Sequence, residues 1–230
     1  MIRIPHRFID RLLPNEYIEN ISTVIIGTFN PGNPNFSLLT NQELQIFEAK
    51  SGTNKFQRFN AVRNFYDRPQ NRFWKIMDLI ANSDFYKERQ LNSKNKNGLK
   101  YYAGFERDLI FEYQKKFCRN YGVFLTDIVR EIEPESFENI YDNFPDKGIE
   151  NANCNWNTTG IIKLIEQYQP NKIIFNFNVS KSIAKISTEL IKIKNRYPEK
   201  VFSVLSTSGA AGNSYKALRE DWSQHIQAIT

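Results

Sequence analysis

The sequence predicts an α/β fold, a central four-stranded parallel sheet covered on both faces by helices. Three observations predict it. Thr23-Val24-Ile25-Ile26-Gly27 is a short apolar, β-branched run without a polar interruption, as expected of a strand buried on both faces. Three further runs, Gly122–Asp127, Lys172–Phe177 and Val201–Leu205, alternate with segments of helical period, the pattern of right-handed βαβ units. The 230 residues, 40% hydrophobic and 14% aromatic, suffice for one sizeable core. A single domain over residues 1–230, without internal repeats, is therefore expected.

In chain order, residues 1–20 read as a lead-in packing on the first strand, with a helix start at Pro14-Asn15-Glu16. The first strand ends in Gly27-Thr28-Phe29-Asn30-Pro31-Gly32, a turn through which neither strand nor helix can continue. A long connection from Asn33 to Arg68 follows, with a short helix at Asn41–Glu48, a loop at Lys50–Asn54 and the aromatics Phe36, Phe47, Phe56, Phe59, Phe65 and Tyr66. Connections of this length in compact domains are usually functional. Phe73, Ile76, Met77 and Ile80 fall at helical spacing behind Asn71, and the polar residues 90–100 read as a loop.

A helix over residues 105–120 leads into the strand ending at Asp127, and residues 131–157 read as an irregular excursion anchored by Trp156. The remainder is regular: a helix Thr159–Tyr168 stopped by Pro170, the third strand, a helix Ser180–Lys194, the fourth strand, the turn Ser206–Asn213 and a last helix from Ser214.

Composition excludes several classes. Cys118, Cys154, His6 and His225 are the chain's only cysteines and histidines, too few for a disulfide framework, a zinc site or an iron–sulfur cluster, so metal-free chemistry without a cofactor is expected. No run of about 18 apolar residues spans a membrane, and Pro5 interrupts any leader. The expectation is a soluble, cytoplasmic monomer. The net charge of +6 suits a polyanionic partner, although heavy use of Asn, Lys and Ile also fits an AT-biased genome. There is no GxxxxGK[ST] or GxGxxG phosphate loop. Neither histidine is expected at a strand end, which argues against a Ser-His-Asp hydrolase.

What remains are three polar turns at strand carboxyl ends, Gly27–Gly32, Thr126-Asp127 and Ser206–Gly209, with the segment Arg68–Arg72 beside them. In an open α/β sheet that is where ligands bind. Amides, hydroxyls, an aspartate and arginines suit orienting a water, hydrogen-bonding a base edge and gripping phosphates. Asp127 reads equally as a general base or as a helix cap.

The order of these segments resembles the uracil-DNA glycosylase superfamily over nearly the whole chain, above all its mismatch-specific and deoxyinosine branches. Gly27–Gly32 is similar to the first motif and Pro69-Gln70-Asn71-Arg72-Phe73-Trp74 to the Pro-x-Asn-Arg-Phe-Trp block. Gly122–Val129 resembles the second strand, Leu164–Phe177 the helix-then-strand block and Val204–Gly209 the final motif. The resemblance implies a three-layer α/β/α domain that flips a base out of DNA and hydrolyses its N-glycosidic bond without a metal or cofactor.

Residue by residue, the resemblance implies that Asn30 positions the attacking water and that Asn71 is catalytic, the alternative for Asn71 being a helix cap. Tyr66 takes the place of the aromatic that stacks on the flipped base, with Thr28, Phe29 and Phe36 as further base contacts. Arg68, Arg72, Ser206, Thr207, Ser208, Gly209, Asn213 and Lys216 are expected on the DNA. The chain departs from the pattern in three places: Thr28-Phe29 stands for a single residue, Ser206 replaces a proline, and no Leu or Arg wedge follows it. Insertions near 33–65 and 87–104 suggest a roomy pocket.

The substrates expected are uracil or hypoxanthine in repair, or a bulky base such as the glucosylated hydroxymethylcytosine of phage DNA in defence. The alternatives are an inactive DNA- or nucleotide-binding module on the same fold and, less favoured, a small-molecule hydrolase.

Overall fold

The structure, a computed structural model, describes residues 3–9, 20–53, 62–67, 71–81, 105–135, 146–177, 183–208 and 211–228. Outside them lie Arg68, Gly209, Phe56, Phe59, the helix start expected at Pro14–Glu16, the loop at 90–100 and the insertion at 87–104.

The main sheet joins β2 (Thr23–Gly27), β3 (Val123–Asp127), β6 (Lys172–Phe175) and β7 (Val201–Ser203). Its order is β3-β2-β6-β7 and every pairing is parallel. Alternation along the strands sends side chains to two separate cores. Val24, Ile26, Ile173 and Phe175 face one core, filled by Ile161 and Ile165 of α5 (Thr158–Tyr168) and by Ile186, Leu190 and Ile193 of α6 (Ala184–Arg196). Ile25, Val123, Leu125 and Ile174 face the other, filled from α2 (Phe73–Ala81), α3 (Phe105–Tyr121) and α7 (Tyr215–Ser223) through Phe73, Met77, Phe117 and Trp222. A helical layer thus lies on each face of the sheet. α1 (Asn41–Ser51) opens with a reciprocal cap in which Thr40 and Glu43 satisfy each other's backbone N–H, and α4 (Asp146–Asn151) is short. None of the described helices is long and apolar enough to cross a membrane.

Two expectations are corrected. Residues 131–157 are not wholly irregular: β4 (Val129–Glu133) and β5 (Asn153–Trp156) pair antiparallel, and β1 (Ile4–Pro5) completes a second sheet of order β1-β4-β5. β4 (Val-Arg-Glu-Ile-Glu) is interrupted by charges and β5 (Asn-Cys-Asn-Trp) by asparagines, so neither gives an apolar run to read, and β1 finds its partner only in the folded chain. Histidine is also at a strand end after all, because His6 follows β1 directly and its N–H bonds to the Arg130 carbonyl at 2.7 Å.

Only Ile128 separates β3 from β4, so the chain passes from one sheet into the other at Asp127. Asn157 pins this crossing. Its Nδ2 donates to Thr126 Oγ1 at 3.2 Å and to the Asp127 carbonyl at 3.1 Å, while its backbone N–H reaches the Ile128 carbonyl at 2.8 Å. Asn157→Ala leaves two buried acceptors without that donor and is expected to cost about 1–2 kcal/mol. The check is a lower urea midpoint at unchanged slope.

Candidate functional site

The strand order makes the carboxyl end of β2 a topological switch point: the chain leaves it for β3 on one side and returns as β6 on the other. Ligand crevices of open α/β sheets form there. The register sets Gly27 beside Asp127, both at the last position of their strands. Beyond them Ile128 N–H bonds to the Gly27 carbonyl at 3.0 Å and Val129 N–H to Thr28 at 3.1 Å, holding the first turn against the crossing.

The N-terminal segment locks the other side of that turn. Arg7 N–H donates to the Asn30 carbonyl and Gly32 N–H to the Pro5 carbonyl, each at 2.7 Å. Glycine is needed at position 32, where a Cβ would stand 2.8 Å from the Pro5 oxygen.

These two segments deliver two donors to one carboxylate oxygen. His6 Nε2 and Asn30 Nδ2 each lie 2.7 Å from Asp127 Oδ2. The side chains of His6 and Asp127 are 0% and 1% exposed. The histidine's tautomer follows from its other nitrogen: Nδ1 accepts from Phe8 N–H at 3.0 Å and Ile9 N–H at 2.9 Å, so the ring proton sits on Nε2 and points at Asp127. Phe65 stacks on the imidazole at 5.4 Å, and Phe29 meets it edge-on at 5.7 Å. The Asn30 side-chain amide must turn its Nδ2 to the acceptor-only carboxylate, and among the described residues its Oδ1 has no hydrogen-bond partner.

The other carboxylate oxygen is different. Asp127 Oδ1 is buried with no hydrogen-bond partner among the described residues, and so is the Tyr66 hydroxyl. They flank Gly27, where a Cβ would come within 2.4 Å of Oδ1 and 2.6 Å of the phenol oxygen. Burial, and then the nearby Asp127 charge, push the Tyr66 hydroxyl well above the usual phenol range, with the Asn176 side chain partly opposing them. Tyr66 therefore remains a neutral phenol.

Tyr66 is held there in the left-handed region, at φ 59°, which L side chains rarely adopt. A buried amide–carboxylate chain fixes its turn. Asn64 Nδ2 donates to Gln114 Oε1 at 2.8 Å, Gln114 Nε2 to Asp67 Oδ1 at 3.0 Å, and Arg63 N–H to Asp67 Oδ2 at 3.1 Å. Phe73 lies 4.5 Å from the tyrosine ring, and the Trp74 indole N–H ties α2 to the Phe65 carbonyl at 2.9 Å.

The other expected residues divide. Asn71 stands at the entry to α2, where its Oδ1 accepts from Phe73 N–H at 2.9 Å, and among the described residues no hydrogen bond joins it to Asp127. Thr207 is fully buried and faces inward, its N–H and hydroxyl both meeting the Asn176 side chain, with Asn176 Nδ2 at 3.1 Å from Thr207 Oγ1. Arg72 donates from its backbone to the Thr207 carbonyl at 2.9 Å and from its guanidinium to the Asn213 carbonyl, and it lies over the Tyr215 ring at 5.0 Å. Asn213 Nδ2 closes this clamp on the Ser206 carbonyl at 3.0 Å.

Ser208 is exposed, its N–H bonded to Ser206 Oγ at 3.2 Å, and Lys216 is exposed on α7. Thr28 is half-buried and Phe29 packs in the core against His6. Phe36 is exposed and pairs edge-on with Phe47 at 4.9 Å. Neither cysteine is an activated thiol, since burial pushes both Cys118 and Cys154 up.

The residue that sequence reasoning missed is His6. The local signal was slight: one of two histidines, followed by Phe8 and Ile9 in a short apolar stretch. Its presence beside Asp127 does not restore a Ser-His-Asp triad. A triad histidine bonds the aspartate through one nitrogen and the nucleophile through the other, whereas Nδ1 here is taken by two backbone N–H groups. The carboxylate itself remains: one oxygen held by two donors, the other buried without a hydrogen-bond partner among the described residues. Comparison with family models and with curated proteins finds no match for this chain.

Proposed function

We propose that the chain is a metal-independent DNA glycosylase of the uracil-DNA glycosylase kind, acting on a base flipped into the crevice at the end of β2. The observation that carries this reading is the buried Asp127 carboxylate at the switch point, paired through Oδ2 with Asn30 and unpaired at Oδ1. The order of the five sequence blocks and the parallel sheet flanked by helices support it.

In this reading Asn30 and Asp127 hold a water against C1′ of the flipped nucleotide. The C1′–N bond breaks with its electron pair leaving on the base, the sugar takes on oxocarbenium character, and the water oxygen bonds to C1′. Asp127 Oδ1 accepts the water's proton, which returns to the departing base, so free base and an abasic sugar are the products. Tyr66, a neutral phenol beside Oδ1, is a hydrogen-bond donor for the base edge. Ser206, Ser208 and Lys216 contribute phosphate contacts, while Arg72 and Asn213 shape the turn that presents them.

Matched duplexes carrying uracil, hypoxanthine or glucosylated hydroxymethylcytosine, cut with alkali after incubation, test the reading. Release of at least one of these bases is expected. No release from any of them, with salt-sensitive DNA retention intact, would establish a binding module instead, because phosphate contacts persist without chemistry.

A further inference from the structure

We infer that His6 is a positioning residue for hydrolysis: its Nε2–H fixes the Asp127 carboxylate so that Oδ1 alone meets the substrate's water. The inference rests on the glycosylase reading and adds to it a residue outside all five sequence blocks.

A buried histidine is most often a satisfied core residue, and three features set His6 apart. First, its ring is oriented by backbone: Nδ1 accepts from Phe8 and Ile9 N–H, which commits the proton to Nε2 and prevents the imidazole from relaying it. His6 therefore acts on Asp127 without exchanging a proton with substrate. Second, the carboxylate is asymmetric. Both donors converge on Oδ2 at 2.7 Å, while the equally buried Oδ1 has none among the described residues. Rotating the carboxylate to exchange its oxygens would break two short hydrogen bonds, so the pair selects which oxygen faces Gly27 and Tyr66. Third, the two donors are interlocked: the backbone N–H of Arg7, next to His6, holds the Asn30 carbonyl, and the Pro5 carbonyl holds Gly32. One segment thus sets the position of Asp127 directly and of Asn30 through its backbone.

The test compares His6→Ala with His6→Gln, whose side-chain amide can place an N–H near the position of Nε2. With enzyme in excess over a damaged duplex, His6→Ala is expected to slow base release on the order of 10²-fold, the scale of a misplaced reacting group. DNA affinity should change little, and His6→Gln should recover most of the rate. Equal slowing in both variants, or none in His6→Ala, would overturn the inference.

A second readout does not need turnover. In the ¹⁵N-labelled wild type, imidazole NMR should show His6 protonated at Nε2 with a downfield proton that moves in Asp127→Asn. Absence of that signal overturns the inference alone. No base release by the wild type with the signal in place overturns the glycosylase reading, and the hydrolytic role of His6 with it.

Discussion

Asp127→Asn is expected to reduce base release by about 10²- to 10⁴-fold, the usual contribution of a positioned general base, while the protein still folds and binds DNA. The amide keeps an oxygen for His6 Nε2 and Asn30 Nδ2, the donors that hold Oδ2 at 2.7 Å. It replaces Oδ1 with an NH₂ group that cannot take a proton. Stability should hold, because the substitution removes a buried charge with one oxygen unpaired among the described residues. The check is single-turnover release alongside a urea melt. A variant as active as the wild type would remove Asp127 from the chemistry, and one that fails to fold would make it a structural residue.

Gly27→Ala is expected to damage both stability and activity, because its methyl would sit 2.4 Å from Asp127 Oδ1 and 2.6 Å from the Tyr66 hydroxyl. Neither neighbour can retreat freely. Asp127 is held by two donors, and Tyr66 rides on the turn fixed by Asn64, Asp67 and Gln114. Overpacking of this kind costs about 1–3 kcal/mol. Tyr66→Phe deletes a buried hydroxyl without a partner among the described residues, so by itself it should change the urea midpoint little. Combined with Gly27→Ala it should recover part of the loss, giving a coupling of about 0.5–3 kcal/mol in a double-mutant cycle. Additive effects would show that the two groups do not share this space.

The main sheet was legible because its strands are unbroken apolar runs separated by helical periods. Ile25 and Ile26 point to opposite cores yet are both fully buried, the mark of a strand covered on two sides. The second sheet was not, since β1 is two residues long and β4 reads Val-Arg-Glu-Ile-Glu, a pattern that acquires meaning only when Ile4 finds Ile132. In the site, the position of Asp127 could be read from its place at a strand end, but not which of its oxygens is engaged. Thr207 illustrates the limit of reading residue types: a hydroxyl expected on phosphate instead turns inward to Asn176. Asn71 accepts the Phe73 N–H at the entry to α2, a local bond that its spacing allows.

The pairing of His6 with Asp127 joins residues 121 positions apart, and this bears on the order in which the protein matures. The parallel sheet is built from β2, β3, β6 and β7, and of the first few residues Ile4 reaches one of its two cores and Phe8 the other. β1, by contrast, is a two-residue edge strand, the kind of element that closes late and opens first. Competence would then arrive as a separate, final event after the globule has formed. A molecule frayed at residues 4–9 would pass as native by its secondary structure while its carboxylate was free to swing, so excision rate, rather than folded fraction, would register the loss.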